Sequence, residues 1–240
     1  MEIKVLASGS KGNAYFISDG ETPLLLEAGI PWRRLQQALN FHTSGISACL
    51  ITHEHGDHSR AVRDVMKAGI DCCMSRGTYN ALNLEGHRAI ICGRPKLAHE
   101  KYGQIAYGNW IIAPFVIQHD AAEPIGFLLY CTKTKEKLAY ITDSYYSRYI
   151  FSGLTHIMLE VNYDQQTLSE NVAAGVVAPE LRNRLLKSHM SLETAVQFLK
   201  ANDLSQVQAI HIIHVSDGNA NEERIRTTIQ RATGKPVYIH

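Results

Sequence analysis

The segment Thr52-His53-Glu54-His55-Gly56-Asp57-His58 directly follows the apolar run Ala48–Ile51. A loop at a strand end frees side chains from the alternation of the strand, so three imidazoles and Asp57 can aim at one point. His and Asp are ligand types for zinc or manganese. His53 and His55, two apart, suit one ion, and Asp57 with His58 suits a second beside it. The alternative is a surface cluster of solvated histidines. With only 12 His in 240 residues, three in six positions speak for the metal reading.

The rest of the chain reads as a framework able to carry such a loop. Glu2–Ala7, Asn13–Ser18, Pro23–Glu27 and Ala48–Thr52 are strand-length apolar or β-branched runs, each closed by a turn-forming or polar residue. Helical spacing marks Trp32–Asn40 and Arg60–Ala68, followed by a strand at Ile70–Met74. Ile111–Ile117 and Phe127–Cys131 read as strands. Lys135-Glu136 reads as a charged tip between Leu128–Thr132 and Leu138–Thr142. Farther on, Thr155–Val161 and Val207–His214 are strands. A helical tract runs through Leu186, and helices are expected at Ser191–Ala201 and Asn221–Ala232. No linker or repeat interrupts this order, so the expectation is one α/β domain over 1–240 with layered sheets.

Composition narrows the function classes. Lys plus Arg is 24 and Asp plus Glu is 23, a net charge of +1, so any contact with nucleic acid must come from a local patch. Cys49, Cys72, Cys73, Cys92 and Cys131 show no C-x-x-C spacing and read as small core residues of a reducing compartment. No stretch of about 18 apolar residues occurs and the first residues do not read as a signal peptide, so a cytoplasmic location without membrane contact is expected.

The motif H-x-H-x-D-H after a strand resembles that of the metallo-β-lactamase superfamily. That resemblance implies a four-layer αββα sandwich with a dinuclear centre. It makes His119 the third His of the first metal, Asp143 the bridging carboxylate and His214 the last ligand of the second metal, each at the end of an apolar run. Ala7-Ser8-Gly9-Ser10-Lys11-Gly12-Asn13, His119-Asp120-Ala121-Ala122-Glu123-Pro124, Glu160-Val161-Asn162-Tyr163-Asp164, Ser188-His189-Met190-Ser191 and His214-Val215-Ser216 are similar to the YycJ/WalJ branch. Members of that branch are phosphodiesterases with attributed DNA exonuclease activity, related to tRNase Z. Two departures stand out. Leu26-Glu27-Ala28-Gly29 has Glu where the superfamily usually has Asp, and Ser188 precedes His189 where relatives usually carry Gly.

The resemblance implies a metal-dependent phosphodiesterase in which metal-bound hydroxide attacks phosphorus. Two divalent ions, Zn or Mn, and Asp57 serve that step, and His189 with Glu160 would protonate the leaving group. A capping-region His and a surface carboxylate are the plainer readings of those two residues. Ser8, Ser10 and Asn13 either shape the pocket floor or touch phosphate. Arg182, Arg184 and Lys187 form either a solvated face or a phosphate track. His211 rivals His214 but sits inside a strand, while His42, His87, His99, His156 and His240 show no partner pattern. The substrate expected is DNA, with small cyclic nucleotides, as for phage anti-defence enzymes of similar build, as the alternative. A metal-binding regulatory module without turnover is the non-enzymatic alternative, and a homodimer is compatible with the sequence.

Overall fold

A computed structural model describes residues 1–93 and 103–240; His99 lies outside them. The chain forms two compact units, Met1–Val116 with Ala121–Glu136 and Ile117–Asp120 with Lys137–His240. Both mix strands and helices, as the sequence patterning leads one to expect.

The first unit begins with β1 (Glu2–Ala7), β2 (Ala14–Ser18), β3 (Leu24–Leu26), helix α1 (Trp32–Ala38) and β4 (Ala48–Leu50). Helices α2 (Gly56–Ser59) and α3 (Val62–Lys67), strand β5 (Asp71–Met74), helix α4 (Arg76–Ala81) and β6 (Ala89–Ile91) follow. These six strands lie in sequence order in one sheet. β1, β2 and β3 pair antiparallel, with a bulge between Val5 and Ala7. From β3 to β6 the pairing is parallel. A parallel strand has both faces covered, which is why Leu24-Leu25-Leu26 and Ala48-Cys49-Leu50 read as unbroken apolar runs and are fully buried. Cys49 and Cys72 sit in that core beside Leu25, Ile51 and Val65, and all five cysteines are buried and free. An antiparallel ladder of β7 (Ile105–Tyr107), β8 (Trp110–Val116) and β9 (Ile125–Cys131) completes this unit.

The second unit carries β10 (Lys137–Ile141), β11 (His156–Glu160), helices α5 (Gln165–Ala173), α6 (Pro179–Ser188) and α7 (Leu192–Ala201), then β12 (Ala209–Ile213), α8 (Glu222–Thr233) and β13 (Val237–Ile239). Its four strands pair parallel, with Ile141 opposite Leu159 and Leu159 opposite Ile212. That register sets the residues just beyond β10, β11 and β12 along one edge, at the carboxyl ends of parallel strands.

Some short elements carry no pattern strong enough to announce them. β6 and β13 have three residues each. Helix α4, Arg-Gly-Thr-Tyr-Asn-Ala, has mostly weak helix formers and rests on its cap, where the Ser75 hydroxyl accepts the Thr78 N–H. Among the described residues no helix is long and apolar enough to cross a membrane.

Candidate metal centre

In the first unit the ligand-type residues follow β4. The motif is not wholly a loop, for Gly56–Ser59 forms the single turn α2, with Asp57 at its amino end, where the helix dipole favours a carboxylate. His53 Nε2 and His55 Nδ1 are 3.1 Å apart. Two ligands of one tetrahedral zinc, each about 2.0–2.1 Å from it, would stand about 3.4 Å apart. The Thr52 hydroxyl lies 2.9 Å from His53 Nδ1, which leaves Nε2 to face His55. His58 is fully buried, its Nε2 3.3 Å from an Asp57 oxygen and its Nδ1 3.5 Å from Glu27 Oε1.

Two neighbouring turns pin this segment. Asn13 donates its backbone N–H to the Asp57 carbonyl at 2.7 Å, and its side-chain amide reaches Gly9 and the same carbonyl. Asn13 is therefore occupied in shaping the site. Gly29 runs so close that a Cβ there would lie 1.6 Å from the Asp57 oxygen. Glu27, in place of the usual Asp, is fully buried and accepts the Thr52 N–H at 3.2 Å. It does so with φ of 63°, a conformation few side chains adopt.

The second unit gathers His119, Asp143, Glu160, His189 and His214. Ligand atoms of Asp143, Glu160, His189 and His214 all lie within 4.8 Å of one another. Asp143 and His214 follow β10 and β12 with φ of 47° and 53°, sharp departures that turn their side chains off the strand direction. His214 Nδ1 is 3.1 Å from Asp143 Oδ1 and 3.2 Å from Glu160 Oε1. His189 caps α6, and the segment behind it runs beside the end of β11 through Asn162 N–H to Met190 O and Leu192 N–H to Tyr163 O. This brings His189 Nδ1 to 2.6 Å from Glu160 Oε1, while Glu160 Oε2 accepts the N–H groups of Ser144 and Met190. His119 donates Nδ1–H to the Ser188 carbonyl at 2.9 Å, so its Nε2 lone pair points out, 3.7 Å from Asp143. Fixing one ring nitrogen so that the other can bind metal is what such ligands require.

The charges reinforce one another. Burial opposes the charge on Glu160, yet His189 and His214 outweigh it and hold the carboxyl below its usual range. Burial likewise opposes the imidazolium of His189, but Glu160 and Asp143 raise its pKa above the ordinary value. For His119 burial wins over Asp143, and its pKa is lowered, leaving the neutral ring that a metal needs.

Some candidates stay apart. His211 lies inside β12 with Nδ1 3.0 Å from His240 Nε2, its pKa lowered to about 4 by burial and then by His240 and His156. It takes no place in the cluster, while His240 gains a neighbour that its sequence context gives no sign of. Arg182, Arg184 and Lys187 are exposed along α6, Arg184 reaching 3.9 Å from Asp120. Asn162 has a part the sequence reading leaves unassigned. Its amide donates to the His214 carbonyl at 3.1 Å, and the only signal for it was its place in the Glu160-Val161-Asn162 run.

A family model described as Beta-lactamase superfamily domain matches residues 22–212, so the chain belongs to that superfamily and is a hydrolase of the metallo-β-lactamase fold. Its relatives place it beside the YycJ/WalJ branch. It is 26% identical over 235 residues to exodeoxyribonuclease WalJ of Streptococcus pneumoniae, covering 94% of this chain and 85% of that protein. It is 25% identical over 242 residues to exodeoxyribonuclease YycJ of Bacillus anthracis, covering 96% and 88%. The metallo-β-lactamase fold protein YhfI from Bacillus subtilis superposes with a TM-score of 0.71 at 14% identity, over 99% of this chain and 95% of that one.

Proposed function

We propose that the chain, acting as one metallo-β-lactamase-like domain, is a dinuclear metal-dependent phosphodiesterase that cuts nucleotides from DNA ends. His53, His55 and His119 would hold one ion and Asp57, His58 and His214 the other, with Asp143 serving both. The donor set supports this, being imidazole nitrogens and carboxylate oxygens in the combination that zinc or manganese takes. Divalent ions there would polarise a phosphoryl oxygen and lower the pKa of water toward about 7.

The observation that carries the reading is the Glu160–His189 pair, 2.6 Å apart beside Asp143 and His214. Glu160 accepts the Nδ1–H and fixes the ring, so that Nε2 is the atom that faces a substrate. As the bond from phosphorus to the departing oxygen breaks, the bonding electrons leave with that oxygen and His189 Nε2–H supplies its proton. DNA as substrate is supported by the names of the two relatives. A small cyclic nucleotide is the second reading, favoured by a net charge of +1, which gives no overall field to attract a polyanion.

The test is product analysis on end-labelled duplex DNA, single-stranded DNA and cyclic mononucleotides with Mn²⁺ or Zn²⁺, across a salt series. The DNA reading expects mononucleotides released from ends, with DNA affinity falling as salt rises, by about 0.9 in log–log slope for each phosphate neutralised on duplex. Faster cleavage of cyclic mononucleotides with little salt dependence overturns it in favour of the second reading.

A further inference from the structure

The segment that follows Asp143 reads Ser144-Tyr145-Tyr146-Ser147-Arg148-Tyr149-Ile150-Phe151 and is fastened at both ends. At its start the Ser144 hydroxyl accepts the Gln118 N–H at 3.0 Å and donates to the Tyr146 carbonyl at 2.8 Å. The Tyr145 N–H reaches the Gln118 carbonyl at 3.2 Å. At its far end the Phe151 N–H donates to the Asn202 side chain at 2.7 Å, and the Phe151 ring packs between Tyr149 at 6.0 Å and Phe198 at 6.4 Å. A backbone held this way does not need exposed aromatic rings for its own packing. Nonetheless Tyr145 is 41% and Tyr146 51% exposed, and Arg148 stands in solvent with its guanidinium 5.5 Å from the Tyr149 ring.

Adjacent exposed aromatics on a fixed backbone, with an arginine two residues on, have the composition of surfaces that stack the bases of single strands. Tyr145 and Tyr146 are two and three residues beyond Asp143, so their Cα atoms lie within about 11 Å of it. We propose that Tyr145 and Tyr146 are a stacking platform for the terminal bases of a single-stranded DNA end whose phosphodiester lies at the Asp143 cluster. This rests on the nuclease reading above and adds to it that the strand is gripped by its bases, without regard to sequence. Arg148 adds positive charge beside the same strand.

The experiment compares a fluorescein-labelled oligothymidylate with an abasic oligonucleotide of equal length, at one fixed ionic strength. Anisotropy reads binding without requiring turnover, and product release is followed in parallel. The wild-type protein is expected to bind the base-bearing strand at least about 10-fold more tightly than the abasic one. In the double variant Tyr145→Ala/Tyr146→Ala that ratio should collapse to within about twofold of one, and Tyr145→Phe/Tyr146→Phe should restore it, since a ring stacks without its hydroxyl. A wild-type ratio near one, or a double alanine variant that keeps the full ratio, overturns the platform. Base-dependent binding without any release of product supports the platform and brings down the nuclease reading alone. Unfolding of the double alanine variant is excluded by its thermal midpoint, and the phenylalanine variant provides the test if that midpoint falls.

Discussion

In the first unit four side chains, His53, His55, Asp57 and His58, come from six consecutive positions after one strand, and the turns at Asn13 and Glu27–Gly29 pin the segment that carries them. In the second, Asp143, Glu160, His189 and His214 come from three strand ends and a helix terminus, and they meet because β10, β11 and β12 run parallel in one register. The first set is a local object and the second a product of tertiary structure. Replacing a side chain in the first set should therefore take away chemistry and leave folding almost untouched. The second set depends on a scaffold whose residues can be lost at a cost to stability without touching a ligand.

The largest effect is expected from Asp57→Ala. With a ligand of the proposed second ion gone, phosphodiester hydrolysis should fall by about 10³-fold or more, while the thermal midpoint stays near the wild-type value. Steady-state kinetics on the purified variant, with circular dichroism alongside, checks this. Retained activity would show that the motif acts otherwise.

Next in size is His189→Ala, expected to lower kcat by about 10²- to 10⁴-fold when the leaving group is a poor one. With p-nitrophenolate, which leaves without a proton, the loss should be far smaller. Equal losses on a nucleotide diester and on bis-p-nitrophenyl phosphate would remove His189 from proton delivery and leave it a packing role.

Gly29→Ala probes the pinning of the first unit. An added Cβ would meet the Asp57 carbonyl at 1.6 Å, so the backbone beneath the motif must move. A loss of about 1–3 kcal/mol in stability by denaturant titration is expected, together with weakened metal affinity. Unchanged affinity would mean the loop adapts more freely than its bonding implies.

The smallest expected effect on activity comes from Asp164 in the second unit. It caps α5, accepts the Asn221 N–H and pairs with Arg224, four residues beyond Glu160 but outside the cluster. Burial works against its charge, but the Thr167, Asn221 and Arg224 bonds prevail and hold its pKa below the usual carboxylate range. Asp164→Ala should cost about 2–4 kcal/mol of stability near pH 7 with kcat little changed. A depressed carboxyl stabilises above its unfolded pKa of about 3.9 and loses that stabilisation as pH falls through the folded value. The gap between wild type and variant should accordingly narrow only below about pH 4. A gap independent of pH would assign the effect to packing.

The same contrast governs what could be read in the sequence. His53 to His58 stand out because their spacing alone makes a site, and β3 to β5 are legible because buried parallel strands are written as apolar runs. His119, Asp143 and His214 needed the resemblance to a family, since a single His or Asp after an apolar run is ordinary. The approach of His189 to Glu160 depends on the backbone pairing of residues 162–163 with 190–192, which leaves no periodic trace. The reach of Glu27 was unreadable for another reason, since it depends on a positive φ that only the folded backbone reveals. The helical turn inside the His motif was hidden by its length of one turn.

The claim that the local motif and the assembled cluster serve one dinuclear centre is tested most directly by metal stoichiometry. The apoprotein would be dialysed to equilibrium against excess Mn²⁺ or Zn²⁺, and metal and protein measured in the same sample, for the wild type, His53→Ala and His214→Ala. Two ions per chain are expected in the wild type, with a loss of bound metal in each variant, one variant from each unit. Saturation at one ion or fewer, or two ions retained when His214 is removed, would contradict it.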